Sequence, residues 1–139
     1  MKFGVGVDYS LKALLLLAER YPTTSPVRVE EIAESQDIPE NYLRRLLIEL
    51  KRGGLVASQK GPNGGYMLAR PPAEVTMADV LRAFHSEVFD SPALTDPHCP
   101  PELREAWRKL QKVLDETAAG IDFQQLLDEA AEKGKMYYI

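Results

Sequence analysis

Residues 60–66, Lys60-Gly61-Pro62-Asn63-Gly64-Gly65-Tyr66, place three glycines, a proline and an asparagine directly behind a lysine. Two chemistries suit such a run: a loop that cradles a phosphate-bearing ligand, or a turn between two strands. A phosphate-binding loop of the nucleotide-hydrolysing kind carries its lysine behind the last glycine, where a helix begins. Here the lysine comes first, and the short apolar run Tyr66-Met67-Leu68-Ala69 follows. The dinucleotide fingerprint G-x-G-x-x-G fails as well, since the glycines after Gly61 stand three and four residues on. The turn accounts for more. Leu55-Val56-Ala57-Ser58 and Tyr66–Ala69 flank the stretch as two strands of a hairpin. Pro62 pre-sets the turn, and Asn63 and Gly64 are expected to take the positive φ that tight hairpins demand.

Upstream of the hairpin lies ENYLRRLLIELKR, residues 40–52, with Leu43, Leu46, Leu47 and Leu50 at helical spacing. Gly53-Gly54 stops this helix. Before it come Asp37-Ile38-Pro39-Glu40, which read as a turn, and VEEIAESQ, a shorter helix that buries Val29, Ile32 and Ala33. Residues 7–20, VDYSLKALLLLAER, form the first helix, with Val7, Leu11, Leu14, Leu15 and Ala18 on one stripe; Pro22 and the TTSP stretch end it. The order is helix, helix, turn, helix, hairpin: a helix-turn-helix followed by a wing.

Downstream, Thr76 opens a T-x-x-D capping box ahead of Val80, Leu81 and Ala83. Residues 85–101 hold four prolines and little periodicity and read as a loop. Glu102 to Ala119 spaces Leu103, Ala106, Trp107, Leu110, Val113, Leu114 and Thr117 three and four apart. A long helix with one apolar stripe needs a partner surface, from this chain or from a second copy. Gly120 closes it, Asp122 caps the next, and Phe123, Leu126, Leu127 and Ala130 define a last short helix. The fold class is therefore mainly α with a small β-hairpin. The chain divides into a winged helix-turn-helix over 1–84, a loop over 85–101, and a long helix with a C-terminal helix and tail over 102–139.

A chain of 139 residues can bury about 70% of its unfolded surface and build a real core. No apolar run approaches the about 18 residues that span a bilayer, and the N-terminus lacks the pattern of a signal peptide. With a lone cysteine, Cys99, no intrachain disulfide can form, which fits a reducing cytoplasm. The net charge of −4 hides an asymmetry. Residues 40–70 carry Arg44, Arg45, Lys51, Arg52, Lys60 and Arg70 against Glu40 and Glu49, a balance of +4. The flanking segments are acidic. A basic middle in an acidic chain marks a local anion-binding face.

On the third helix the leucines face the core, which leaves Asn41, Tyr42, Arg44 and Arg45 on or beside the exposed face. Such a helix enters a major groove with its N-terminal residues at base edges. Arginine pairs with guanine and asparagine with adenine, whereas Lys51 and Arg52 at the far end suit phosphates. Lys60, with Asn63 and Gly64 at the wing, is placed to approach the DNA backbone or a narrow minor groove. Double-stranded DNA is the partner these residues point to.

The same residues resemble the Rrf-two family of bacterial winged-helix regulators, which includes the iron–sulfur cluster regulator, the nitric-oxide-sensitive repressor and the cysteine-metabolism repressor. The similarity runs from about Asp8 to Leu127. Its most specific piece is IPENYLRRLLIELKRGGLVASQKGPNGGYMLARPPAEVTMADVLRA, and DYSLKALLLLA resembles the family's first helix. The resemblance implies a homodimer crossed through the long helix, with Leu103, Trp107, Leu110 and Leu114 as dimerisation residues. It also implies binding to a two-fold-symmetric operator, usually for repression, in the cytoplasm. Many members sense through a cluster held by three cysteines in the loop before that helix. This chain has Cys99 alone, so a three-cysteine cluster is excluded and no cofactor is expected.

His98-Cys99 remain as the possible sensor. A packing cysteine, a thiol redox switch and a zinc site shared across a dimer, with His85 upstream, all stay open. The effector, a small molecule or a protein, is not named by the sequence. A second class also fits the acidic 71–139 half and the apolar tail Met136-Tyr137-Tyr138-Ile139: a winged-helix protein-interaction module, or a regulator controlled by a protein partner. An enzyme is not expected. No nucleophile elbow, phosphate-binding signature or zincin motif occurs, and His85 and His98 are the chain's two imidazoles.

Overall fold

The computed structural model describes residues 3–22, 25–85 and 88–137. They form α1 (Val5–Glu19), α2 (Val29–Gln36), α3 (Glu40–Arg52), β1 (Val56–Gln59), β2 (Gly65–Leu68), α4 (Met77–Phe84), α5 (Pro101–Ala119) and α6 (Phe123–Tyr137). Single 3-10 turns lie at Pro72–Glu74 and Pro92–Leu94. The chain is mainly helical with one antiparallel hairpin, as its periodicities predict. No helix among the described residues is long and apolar enough to cross a membrane. Thr23 and Thr24 of the break after α1, and Tyr138 and Ile139 of the apolar tail, lie outside the described residues.

Helix α1 is buried more completely than a single stripe predicts. Gly6, Val7, Ser10, Ala13, Leu14, Leu16, Leu17 and Ala18 are all buried, because α2, α3, α4 and α6 pack around it. A helix apolar on most of its circumference belongs at the centre of a core. Helix α2 ends at Asp37, whose φ of 53° is left-handed, and Ile38 then donates its N–H to the Ala33 carbonyl at 2.9 Å. This brief reversal sends the chain through Pro39 into α3. There Leu43, Leu46, Leu47 and Leu50 are buried, each contributing about 1.5–3 kcal/mol. At its end Gly53 stays right-handed; Gly54, at φ 75°, makes the left-handed step, and Leu55 N–H closes on the Leu50 carbonyl at 3.0 Å.

The hairpin pairs Val56 with Leu68, Ala57 with Met67, Ser58 with Tyr66 and Gln59 with Gly65. Both strands thus sit one residue closer to the turn than the apolar runs suggest. The turn itself differs from the expectation: Lys60–Gly64 connect the strands, and the positive φ, 110°, falls on Gly61, not on Asn63 or Gly64. Gly64 is required for space instead, since a Cβ there would stand 2.2 Å from the Gln59 carbonyl oxygen. Behind the hairpin, Val27 and Tyr66 exchange both backbone hydrogen bonds at 2.8 Å, which adds a one-residue third strand.

Helix α4 opens with the expected capping box: Asp79 N–H donates to Thr76 Oγ1 at 3.2 Å, and Thr76 N–H to the Asp79 carboxylate at 3.0 Å. After α5, Met77 N–H donates to the Ile121 carbonyl and Phe123 N–H to the Val75 carbonyl. These two bonds bring the chain back to the first half. Asp122 caps α6 by accepting from Gln125 N–H at 2.9 Å. At 15 residues α6 is not the short helix predicted. It lies against α1, and Phe123, 1% exposed, enters the same core as Leu14, Leu47 and Val80.

Candidate nucleic-acid interface

Helix α2, helix α3 and the hairpin enclose a cleft of about 480 Å³. Four cations line it: Arg28 from the entry to α2, Arg44 and Lys51 from α3, and Lys60 from the wing. Glu30 is its one carboxylate. Lys51 donates to Ser58 Oγ at 2.6 Å, tying the end of α3 to β1. Arg28 donates to the Pro62 carbonyl, tying the start of α2 to the wing tip. The wing is therefore fastened to the helices by side chains as well as by the Val27–Tyr66 bridge. The relative position of α3 and the wing, which any two-point docking on a duplex needs, is set before a ligand arrives.

On α3, Asn41, Arg44, Arg45 and Arg52 are exposed, and Tyr42 is half-buried. Tyr42 stands edge-on to Tyr9 of α1, ring centroids 5.8 Å apart, and Arg45 lies over the Tyr42 ring at 5.3 Å. The stack braces Arg45 against the body of the protein. Arg44 reaches Glu30 at 2.9 Å and Glu40 at 3.4 Å. The Glu30 carboxyl is held below its ordinary range, chiefly by a hydrogen bond from backbone N–H at the start of α2. The charges of Arg44 and Arg28 add to this, and partial desolvation opposes it. Arg52 pairs with Glu49 at 2.8 Å. Lys60 and Asn63 are exposed at the wing, and Gly64 is half-buried against Gln59.

The residues expected for dimerisation divide between two sides of α5. Leu103, at 50% exposure, and Leu110, at 52%, face outward, and Val113 joins them at 60%. Trp107 turns toward its own chain and stacks on Phe89 with centroids 5.6 Å apart. Leu114 faces inward too, beside Met77, Leu81 and Val88. In the preceding loop Cys99 is buried, with Sγ 3.6 Å from the Pro100 carbonyl, while its neighbour His98 is exposed. Arg104 donates to the Asp96 and Cys99 carbonyls and holds that loop over the thiol. His85 is far along the chain, packed on Phe3 with ring centroids 5.5 Å apart.

Arg28 and Glu30 were not among the residues expected at this face. The signal for them is faint but present: Val27, Arg28 and Val29 alternate apolar, charged, apolar, the period of a strand edge. Reading that segment as strand would have placed Arg28 beside the wing.

A family model, Rrf2, described as an iron-dependent transcriptional regulator, matches residues 4–129. A Synechocystis sp. protein named as an HTH-type transcriptional regulator is 37% identical over 115 residues, covering 81% of this chain and 78% of its own. The HTH-type transcriptional regulator CymR of Bacillus subtilis is 27% identical over 141 residues, spanning the full length of both chains. The structure of B. subtilis CymR, named there as its global cysteine regulator, superimposes with a TM-score of 0.80 at 26% identity, covering 93% of this chain and 98% of that one. The structure of T. potens IscR gives 0.77 at 31% identity, covering 99% and 97%.

Proposed function

The chain belongs to the Rrf2 family of DNA-binding winged-helix transcriptional regulators, and on that premise we propose that it is a dimeric, sequence-specific repressor that works without an iron–sulfur cluster. The observation that carries the proposal is the cationic cleft of Arg28, Arg44, Lys51 and Lys60, set between a helix-turn-helix and a fastened wing. In it, α3 enters the major groove and presents Asn41, Arg44 and Arg45 to base edges, with Tyr42 bracing Arg45. Lys51, Arg52 and Lys60 meet phosphates, and Asn63 and Gly64 bring the wing tip close to the duplex. Two copies joined through the outward face of α5, Leu103, Leu110 and Val113, match a two-fold-symmetric operator. Trp107 and Leu114 support that face from behind. Occupying such a site within a promoter is how the protein represses.

The donors of this chain do not fit an iron–sulfur cluster. Such clusters are held mainly by thiolates, and Cys99, the chain's single cysteine, is buried beneath a loop that Arg104 ties down. Among the described residues no three His, Cys, Asp or Glu side chains gather to hold a metal. Of the two possible sensor residues, His98 is exposed, whereas Cys99 would need the loop to open before it could react. The relatives are transcriptional regulators and not enzymes, and regulation in place of catalysis is the role proposed.

The test is binding to the duplex upstream of the protein's own gene, against random duplex, over a salt series. About six to ten phosphate contacts per dimer predict an affinity loss of roughly 10³–10⁵ between about 50 and 200 mM salt. A shallow slope with no preference over random DNA refutes the proposal. Arg44→Ala should relax sequence preference, whereas Lys60→Ala should weaken binding uniformly.

A further inference from the structure

On the solvent side of α3 one residue breaks the chemistry of its surroundings. Ile48 is 48% exposed, although the helix buries its four leucines on the opposite side. Helical spacing puts Arg44 and Arg45 one turn before it and Lys51 and Arg52 one turn after, and Asn41 two turns before. An isolated exposed isoleucine is ordinary on a protein surface. An isoleucine framed by four cations on the helix proposed to enter the groove is a different matter, because that position is desolvated whenever the helix docks.

Resting on the DNA-binding proposal, we infer that Ile48 is a base-reading residue that packs against the C5-methyl group of a thymine in the major groove. The cations around it, of which Arg45 and Lys51 carry no ion pair among the described residues and Arg44 and Arg52 hold only exposed ones, select a polyanion as the occupant of this face. Within the major groove the bases present mainly donors and acceptors, and the one methyl among them is that of thymine. Against any other base edge the isoleucine would cover polar groups and return no hydrogen bond, at a cost for each. Ile48 therefore discriminates in both directions, favouring thymine and rejecting the polar edges of guanine and cytosine. A lipid surface suits this face poorly, since interfacial helices bury a continuous apolar stripe and here one side chain stands alone.

The probe is a duplex selected from a random pool by the full-length wild-type protein, with each thymine then replaced singly by deoxyuridine, which removes the methyl and leaves every hydrogen bond. Wild-type protein should lose about fourfold in affinity per half-site at one thymine and little at the others, the value of one buried methyl. Ile48→Ala should bind both duplexes equally, and Ile48→Val should keep part of the difference. Ile48 is exposed and alanine is the better helix former, so the variant keeps its fold. If Ile48→Ala retains the whole uracil penalty, or no thymine is sensitive in wild type, the inference is wrong. Should Arg44→Ala still lose sequence preference in that case, the DNA-binding proposal stands without it. If the pool yields no selected sequence at all, both fall together.

Discussion

Gly65→Ala, the addition of a single methyl, should dislodge the wing. Gly65 lies in β2 next to the Val27 bridge, and a Cβ there would stand 2.3 Å from the Val27 carbonyl oxygen and 2.6 Å from its carbon. Backbone atoms cannot rotate away as a side chain can, so the Val27 strand must separate from β2 by about 1 Å. Both Val27–Tyr66 hydrogen bonds, now 2.8 Å, then lengthen past useful geometry. Two such bonds at about 1 kcal/mol each, with part of the Val27 side chain uncovered, give a destabilisation of about 2–3 kcal/mol. In a chain of this size that is a fall of roughly 6–15 °C in Tm, read by circular dichroism. Gly134→Ala is the internal control. Gly134 lies within α6 and, its own helix backbone and chain neighbours aside, no described atom lies within 4 Å of its would-be Cβ, so alanine should stabilise by roughly 0.5–1 kcal/mol. The two changes add the same methyl and should act with opposite sign. A Gly65→Ala protein that melts with wild type would show that the bridge contributes nothing, and the claim that the wing is pre-set would go with it.

Three further outcomes follow from the same geometry. Glu30→Gln frees Arg44 from one ion pair and removes a carboxylate from the cleft; affinity for random duplex should rise about two- to fivefold, and the log–log salt slope should steepen by about one. An unchanged slope would mean that the Glu30 carboxylate does not oppose phosphates at this cleft. Ser10 is fully buried and its Oγ has no partner among the described residues, so Ser10→Ala should raise stability by about 1 kcal/mol in urea unfolding; a loss of similar size would reveal a bond that this geometry lacks. Leu110→Glu sets a charge on the outward face of α5 and should weaken the proposed self-association at least about tenfold by sedimentation while leaving the helical spectrum intact. A dimer that persists at micromolar concentration would place the interface elsewhere.

The helices were legible because their signals are local. Leu43, Leu46, Leu47 and Leu50 repeat within two turns, and Thr76 with Asp79 cap a helix across three residues. Elements decided by distant contacts were less so. Val27 joins the sheet only because Tyr66 meets it across the fold, and α6 extends to 15 residues because α1 offers it a surface. In the turn, glycine content was legible but not its cause. Gly61 carries the unusual φ, while Gly64 and Gly65 are small because carbonyls lie against them. One letter in the sequence serves two different physical needs.

The proposed interface shows the same limit in its electrostatics. A count of charges over residues 40–70 finds a surplus of four cations but not their partners. Arg44 is answered by Glu30, 14 residues away, and by Glu40; Arg52 is answered by Glu49. Among the described residues Arg45, Lys51 and Lys60 carry no ion pair. Exposed pairs such as these are worth at most about 1 kcal/mol each, so a phosphate or a guanine edge can displace the carboxylate readily. The displaced carboxylate, however, stays beside the groove and repels phosphates that approach in the wrong register. On the proposed docking, affinity then falls mainly to the unpaired lysines. In that proposal Arg44, which must exchange two carboxylates for something that fits its fork as well, is the residue left to discriminate between sequences.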